Sequence, residues 1–143
     1  MSWKERIQVG GRFSVTKTIS ESDVYLYAGI TGDFHPNHVN EQYASTKMFK
    51  HRVVHGALLI GFMSAATTQL RDVLEPPGYM AQEYQAKFVA PVYFGDTVTV
   101  TLTVAEILAE RRKVIMKAEI TNQDGTTVAQ GSATVKVLRG EEE

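Results

Sequence analysis

The chain has 143 residues, 43% of them hydrophobic, with 15 Lys+Arg against 16 Asp+Glu and no cysteine. That length suits one domain around one core, since domains typically run about 100–150 residues. A net charge of -1 excludes a general electrostatic case for nucleic acid or an acidic membrane surface, and the lack of cysteine excludes disulfides, thiolate metal sites and a cysteine nucleophile.

The opening MSWKERIQVGG has charges but no apolar run, so no secretory signal is expected and a soluble, cytoplasmic protein is the default. A first strand is expected around Phe13, Val15 and Ile19. Ser20 then starts a helix: its hydroxyl can cap the N–H of Asp23, and the Asp23 carboxylate can reach back. Ile19 and Val24 stand at staple positions. That helix fails at Gly32. An irregular stretch follows through His38, then a helical turn at Glu41–Ser45.

From Val53 to Leu70 there is no Lys, Arg, Asp or Glu, a run as long as a short membrane span of ~17–25 residues. It nevertheless carries His55, two glycines, Ser64, two threonines and Gln69, and lacks aromatic anchors. It reads as a buried helix from about Gly56 to Leu74, enclosed by its own protein. Pro76-Pro77-Gly78 ends it.

Beyond that point the period changes to two. Tyr84, Ala86, Phe88 and Ala90 alternate, and Pro91 confines the end of that strand to an edge or a bulge. Thr97 to Val104 alternates strictly. Val114 to Ile120 marks another strand, Asn122–Gly125 a turn, Thr127–Leu138 the last strand and Gly140–Glu143 a frayed tail. Strand, helix, long helix and four meandering strands predict a single α+β domain over residues 1–143. An antiparallel five-stranded sheet wraps the long helix, which describes a hot-dog fold. Its open edges invite a second copy, so a homodimer or higher homo-oligomer is expected.

All four histidines fall within residues 35–55. Asp33, His35 and His38 offer a metal one carboxylate and two imidazoles. Pro36 interrupts their spacing, however, and no Glu stands between His51 and His55, so the metalloprotease pattern is absent. Metal-free acid–base chemistry is favoured, with Asp33 and a histidine aimed into one cavity around a water. His51, between Lys50 and Arg52, reads as surface. His35 is as readily a loop support as a functional group. Gly56, at the entrance of the long helix, leaves its N–H open to a substrate carbonyl. A donor of that kind stabilises enolate-like charge by roughly 2.7–4 kcal/mol.

The run Tyr27-Ala28-Gly29-Ile30-Thr31-Gly32-Asp33-Phe34-His35-Pro36-Asn37-His38, with Val54-His55-Gly56 and Pro91–Asp96 downstream, resembles the hydratase-2 motif of MaoC-like (R)-specific enoyl-CoA hydratases. The similarity extends over essentially the whole chain. The resemblance implies that Asp33 and His38 activate the water added to C3 of a trans-2-enoyl thioester, giving an (R)-3-hydroxyacyl thioester. It implies that the Gly56 N–H holds the thioester carbonyl, that Ser64, His55 and His35 serve on the substrate side, and that no metal or other cofactor takes part. The substrate handle is CoA or an acyl carrier, with Lys87 and Arg111–Lys113 as candidate phosphate contacts. The rivals are a hot-dog thioesterase, or an acyl-CoA-binding domain that leaves the thioester intact.

Two positions depart from the pattern. Family members usually carry Asn where His35 stands and an aliphatic residue where Asn37 stands. An imidazole N–H can replace the amide as a loop-fixing donor. The added polarity bears on the acyl group, pointing to a shorter, branched or carboxylated chain.

Overall fold

The computed structural model describes residues 1–140; most of the expected frayed tail, residues 141–143, lies outside them. In chain order the elements are α1 (Trp3–Arg6), β1 (Arg12–Thr18), α2 (Glu21–Thr31), α3 (Pro36–Val39), α4 (Glu41–Ser45), α5 (Gly56–Thr67), α6 (Arg71–Leu74), β2 (Tyr79–Phe88), β3 (Thr97–Leu108), β4 (Lys113–Thr121) and β5 (Thr127–Val137). The five strands form one antiparallel sheet in the order β1-β3-β4-β5-β2.

Local signals in the sequence account for most boundaries. The Ser20 hydroxyl accepts from the Asp23 N–H at 3.1 Å, and the Asp23 carboxylate accepts from the Ser20 N–H at 2.9 Å, closing the capping box of α2. Gly32 ends α2 in the left-handed region, φ 82, with its N–H on the Ala28 carbonyl. Alternation along β3 buries Val98, Val100, Leu102 and Val104. The threonines face outward, where Thr16–Thr99 and Thr18–Thr97 pair their hydroxyls at 3.0 and 2.7 Å across β1 and β3.

Two features differ from expectation. The meander covers only β3, β4 and β5, because β2 lies at the far edge beside β5. Periodicity marks a strand but carries no information about its neighbour. A close backbone approach builds this edge: a Cβ on Gly131 would sit 1.8 Å from the Gln85 carbonyl oxygen. The second difference concerns the long helix. Leu59, Met63, Ala66 and Thr67 are buried against the sheet, whereas Ala57, Gly61, Ser64, Ala65 and Thr68 on the other face are exposed. The chain therefore encloses this apolar helix on one side only. A turn of 3-10 helix at Thr68–Leu70 joins it to α6, ending the run at Leu74. Among the described residues no helix is long and apolar enough to cross a membrane.

Candidate active site

Gly32 turns the chain out of α2 so that Asp33 begins a tight loop. The Asp33 carboxylate accepts from the His35 N–H at 3.3 Å, and His35 Nδ1 accepts from the Asn37 N–H at 3.1 Å as the cap of α3. His35 is thus a loop support, acting as an acceptor where a donor was expected. Pro36 stands at the first position of α3, where its missing N–H costs nothing.

One turn of α3 then aims His38 inward. Its Nδ1–H donates to the Val53 carbonyl at 2.7 Å, and the Val53 N–H returns a bond to the Asn37 carbonyl at 3.0 Å. A neutral imidazole that donates from Nδ1 keeps its lone pair on Nε2. Burial holds the His38 pKa below its ordinary value. The Val53 carbonyl opposes that shift, neighbouring His55 and His35 reinforce it, and Asp33 pulls the other way.

His55 closes the group. It precedes α5, is 2% exposed, and donates from Nε2 to the Asp33 carbonyl at 2.9 Å. Its ring stacks on His38 with centroids 3.8 Å apart and an interplanar angle of 24°, and meets Tyr27 edge-on at 4.8 Å. Expected as a substrate contact, it is sealed among its neighbours.

One side-chain donor atom each from Asp33, His38 and His55 lies within 4.8 Å of the other two. Two groups that share a water at ~2.8 Å and a tetrahedral angle stand about 4.6 Å apart, so Asp33 and His38 can hold one water between them. A metal fits less well. Imidazole lone pairs lie in the ring plane, so two rings stacked this nearly parallel project them side by side. They do not converge on one ion with bonds of ~2.0–2.1 Å.

A cavity of about 470 Å³ opens against His38 and Gly56, walled by Met48, Phe49, Leu59 and Phe88. No side chain caps α5, so its first N–H groups are left for a ligand. A Cβ on Gly56 would meet the Phe88 ring at 3.0 Å. The glycine therefore serves two ends: an open N–H and room for the aromatic wall. Sequence reasoning missed Met48, Phe49 and Phe88 as walls. The only signal was an apolar pair flanked by Lys47 and Lys50 in a loop.

Other expected residues lie elsewhere. Ser64 sits on the exposed face of α5, eight residues and about 12 Å along the helix from Gly56. His51 is on the surface, paired with Glu41 at 2.8 Å. Arg111–Lys113 stand at the turn between β3 and β4. There Lys113 pairs with Lys136 near the Tyr79 end of the sheet, whereas the cavity lies at the Phe88 end.

Comparison with known proteins identifies the family. The MaoC like domain family matches residues 4–130. An (R)-specific enoyl-CoA hydratase of Rhodospirillum rubrum is 46% identical over 93% of this chain and 90% of its own length. A 3-hydroxybutyryl-CoA dehydratase of Methylorubrum extorquens is 38% identical over 96% of this chain and 85% of its own. The solved R-hydratase of Pseudomonas aeruginosa, unliganded, superposes with a TM-score of 0.83 at 34% identity, covering 97% of this chain and 86% of that one. By the extent of the family match and by these identities, the chain belongs to the MaoC-like family.

Proposed function

We propose that the protein is a hydro-lyase interconverting trans-2-enoyl and (R)-3-hydroxyacyl thioesters through water held by Asp33 and His38. The observation that carries this reading is the His38 Nδ1–H bond to Val53. It leaves Nε2 as an acceptor on a ring that lines an apolar cavity and has an Asp33 carboxylate oxygen within 4.8 Å of one of its nitrogens. The membership just described and the activities named for the relatives support it.

In the hydration direction the water oxygen bonds to C3 and its proton passes to the Asp33–His38 pair. The C2–C3 π electrons move toward the thioester oxygen, which accepts from the Gly56 N–H. The pair then returns the proton to C2 and ends as it began. Because burial favours neutral His38, this imidazole receives a proton before it gives one.

The reading further assigns no metal or other cofactor, a cytoplasmic location, one domain over residues 1–143 and a homodimer or higher homo-oligomer. Among the described residues His38 is the sole cavity-lining residue with an ionisable side chain. That supports an uncharged acyl chain over a carboxylated one, carried by CoA or an acyl carrier.

Incubation with crotonyl-CoA tests the proposal. Enoyl absorbance should fall and chiral analysis should find the R product. Asp33→Asn and His38→Gln should each lower kcat by about 10²–10⁴-fold. Release of free thiol would indicate a thioesterase instead, and binding without turnover a carrier domain.

A further inference from the structure

His55 is the most deeply buried ionisable group at the site, and the mechanism above gives it no step. Its surroundings define what it can do. Nε2–H is committed to the Asp33 carbonyl at 2.9 Å, which places the proton on that nitrogen. Nδ1 is sealed from solvent and, among the described residues, has no hydrogen-bond partner. The His38 ring, stacked with its centroid 3.8 Å away, covers one face of the imidazole. His55 therefore neither relays a proton nor reaches a water or a thioester.

What it does touch are both halves of the proposed pair. One hydrogen bond holds the backbone of Asp33, the residue at which the chain leaves α2. One ring face stacks on His38, and Tyr27 from α2 meets the His55 ring edge-on at 4.8 Å. The titratable groups around the rings are Asp33, His35, His38 and the Tyr27 phenol.

The geometry points to His55 as a positioning residue: a buried imidazole that aims the Asp33 carboxylate and the His38 ring at the same point. Its position at the N-cap of α5 also ties that aim to the Gly56 N–H on the adjacent residue. The water side and the carbonyl side of the site are thereby referenced to one side chain. This assignment rests on the proposed hydratase reading for its kinetic consequence, but not for its spectroscopic one.

Two variants separate the two contacts. His55→Phe keeps a ring against His38 and removes the donor; His55→Gln keeps an amide donor and removes the ring. Each should retain a cooperative melt and a KM within about threefold of the parent, while kcat falls about 10–100-fold, as expected for displaced reacting groups. In the unsubstituted protein, ¹⁵N spectra of the imidazoles should show the His55 proton on Nε2, as its bond to the Asp33 carbonyl requires. A loss confined to KM would make His55 a substrate contact and overturn the assignment. So would an unchanged kcat in both variants, or a His55 proton found on Nδ1 in place of Nε2. If the parent protein hydrates no enoyl thioester, the hydratase reading fails, and the ¹⁵N result still decides the state of His55.

Discussion

A ring nitrogen that donates to a carbonyl has its proton placed, and in His38 that nitrogen is Nδ1. The consequence is a pH dependence with a definite sign. Burial favours the neutral ring, so the basic Nε2 persists below the ordinary midpoint of 6.5. The acid limb of kcat/KM should fall below that value. Asp33 is the neighbouring carboxylate that supports the protonated form. Asp33→Asn should therefore move the His38 midpoint further down, measured by NMR in the ligand-free protein; an upward move would mean that Asp33 does not face the ring. Stability follows the same sign. Above 6.5 the ring is neutral folded and unfolded and contributes no pH dependence. Below it the unfolded chain takes up the proton first, so stability declines until the folded midpoint is passed.

At the scale of elements, the segment from α2 to α4 carries the site, and one side chain bolts it to the body. Arg52 is 21% exposed at its side chain and reaches Glu21 of α2 at 2.8 Å and the Tyr25 hydroxyl at 2.7 Å. Glu41 of α4 stands 3.4 Å from its Nε, and its guanidinium lies over the Phe94 ring at 4.5 Å. Lys cannot replace this planar fork. Arg52→Met keeps the stem but loses the charged hydrogen bonds, and should cost about 1.5–3 kcal/mol, seen in chemical denaturation. Arg52→Lys should recover little of it, and hydrogen exchange should rise over residues 33–55 in both. The close backbone approach at β2 and β5 predicts a different kind of loss. Gly131→Ala forces the strands apart at Gln85 and should destabilise by about 1–3 kcal/mol, with the melting temperature as readout.

Neither feature was visible in the chain as text. The capping box at Ser20 and Asp23, the stop at Gly32 and the alternation along β3 are local rules, and local rules are written in neighbouring residues. Asp33, His38 and Gly56 stood out as candidates for a related reason, next to Gly32, two residues past Pro36 and at a helix start, and the motif resemblance supplied the roles proposed for them. Arg52 looked like part of a basic surface patch because its partners are 27 and 31 residues away in α2 and 11 residues away in α4. Phe88 read as one more strand residue, since what makes it a cavity wall is its approach to Gly56, 32 positions earlier. Edge position was likewise open for β2, because pairing with β5 across the intervening β3 and β4 leaves no trace in its own period.

At the scale of the whole molecule, two surfaces are left incomplete by a single chain. β2 pairs only with β5, so its other edge offers free backbone groups along ten residues. Met80, Phe88 and Val89 on or beside that edge are half-exposed or more. On α5 the outward face carries Ala57, Gly61, Ser64, Ala65 and Thr68, small enough for another backbone to approach closely. A second copy that extended the sheet across β2 could bring the two α5 faces together, covering both surfaces with one symmetric contact. Ser64 belongs to this argument, because about 12 Å of helix separates it from Gly56 of its own chain. The part proposed for it in ordering a site is therefore tied to the proposed second copy. A charged side chain on that face tests the proposed dimer. Ala65→Glu should shift the light-scattering mass from two chains to one, and Ser64→Ala should leave the mass at two. If the unsubstituted protein already elutes as a single chain with full activity, the dimer is wrong and the open face of α5 has another occupant.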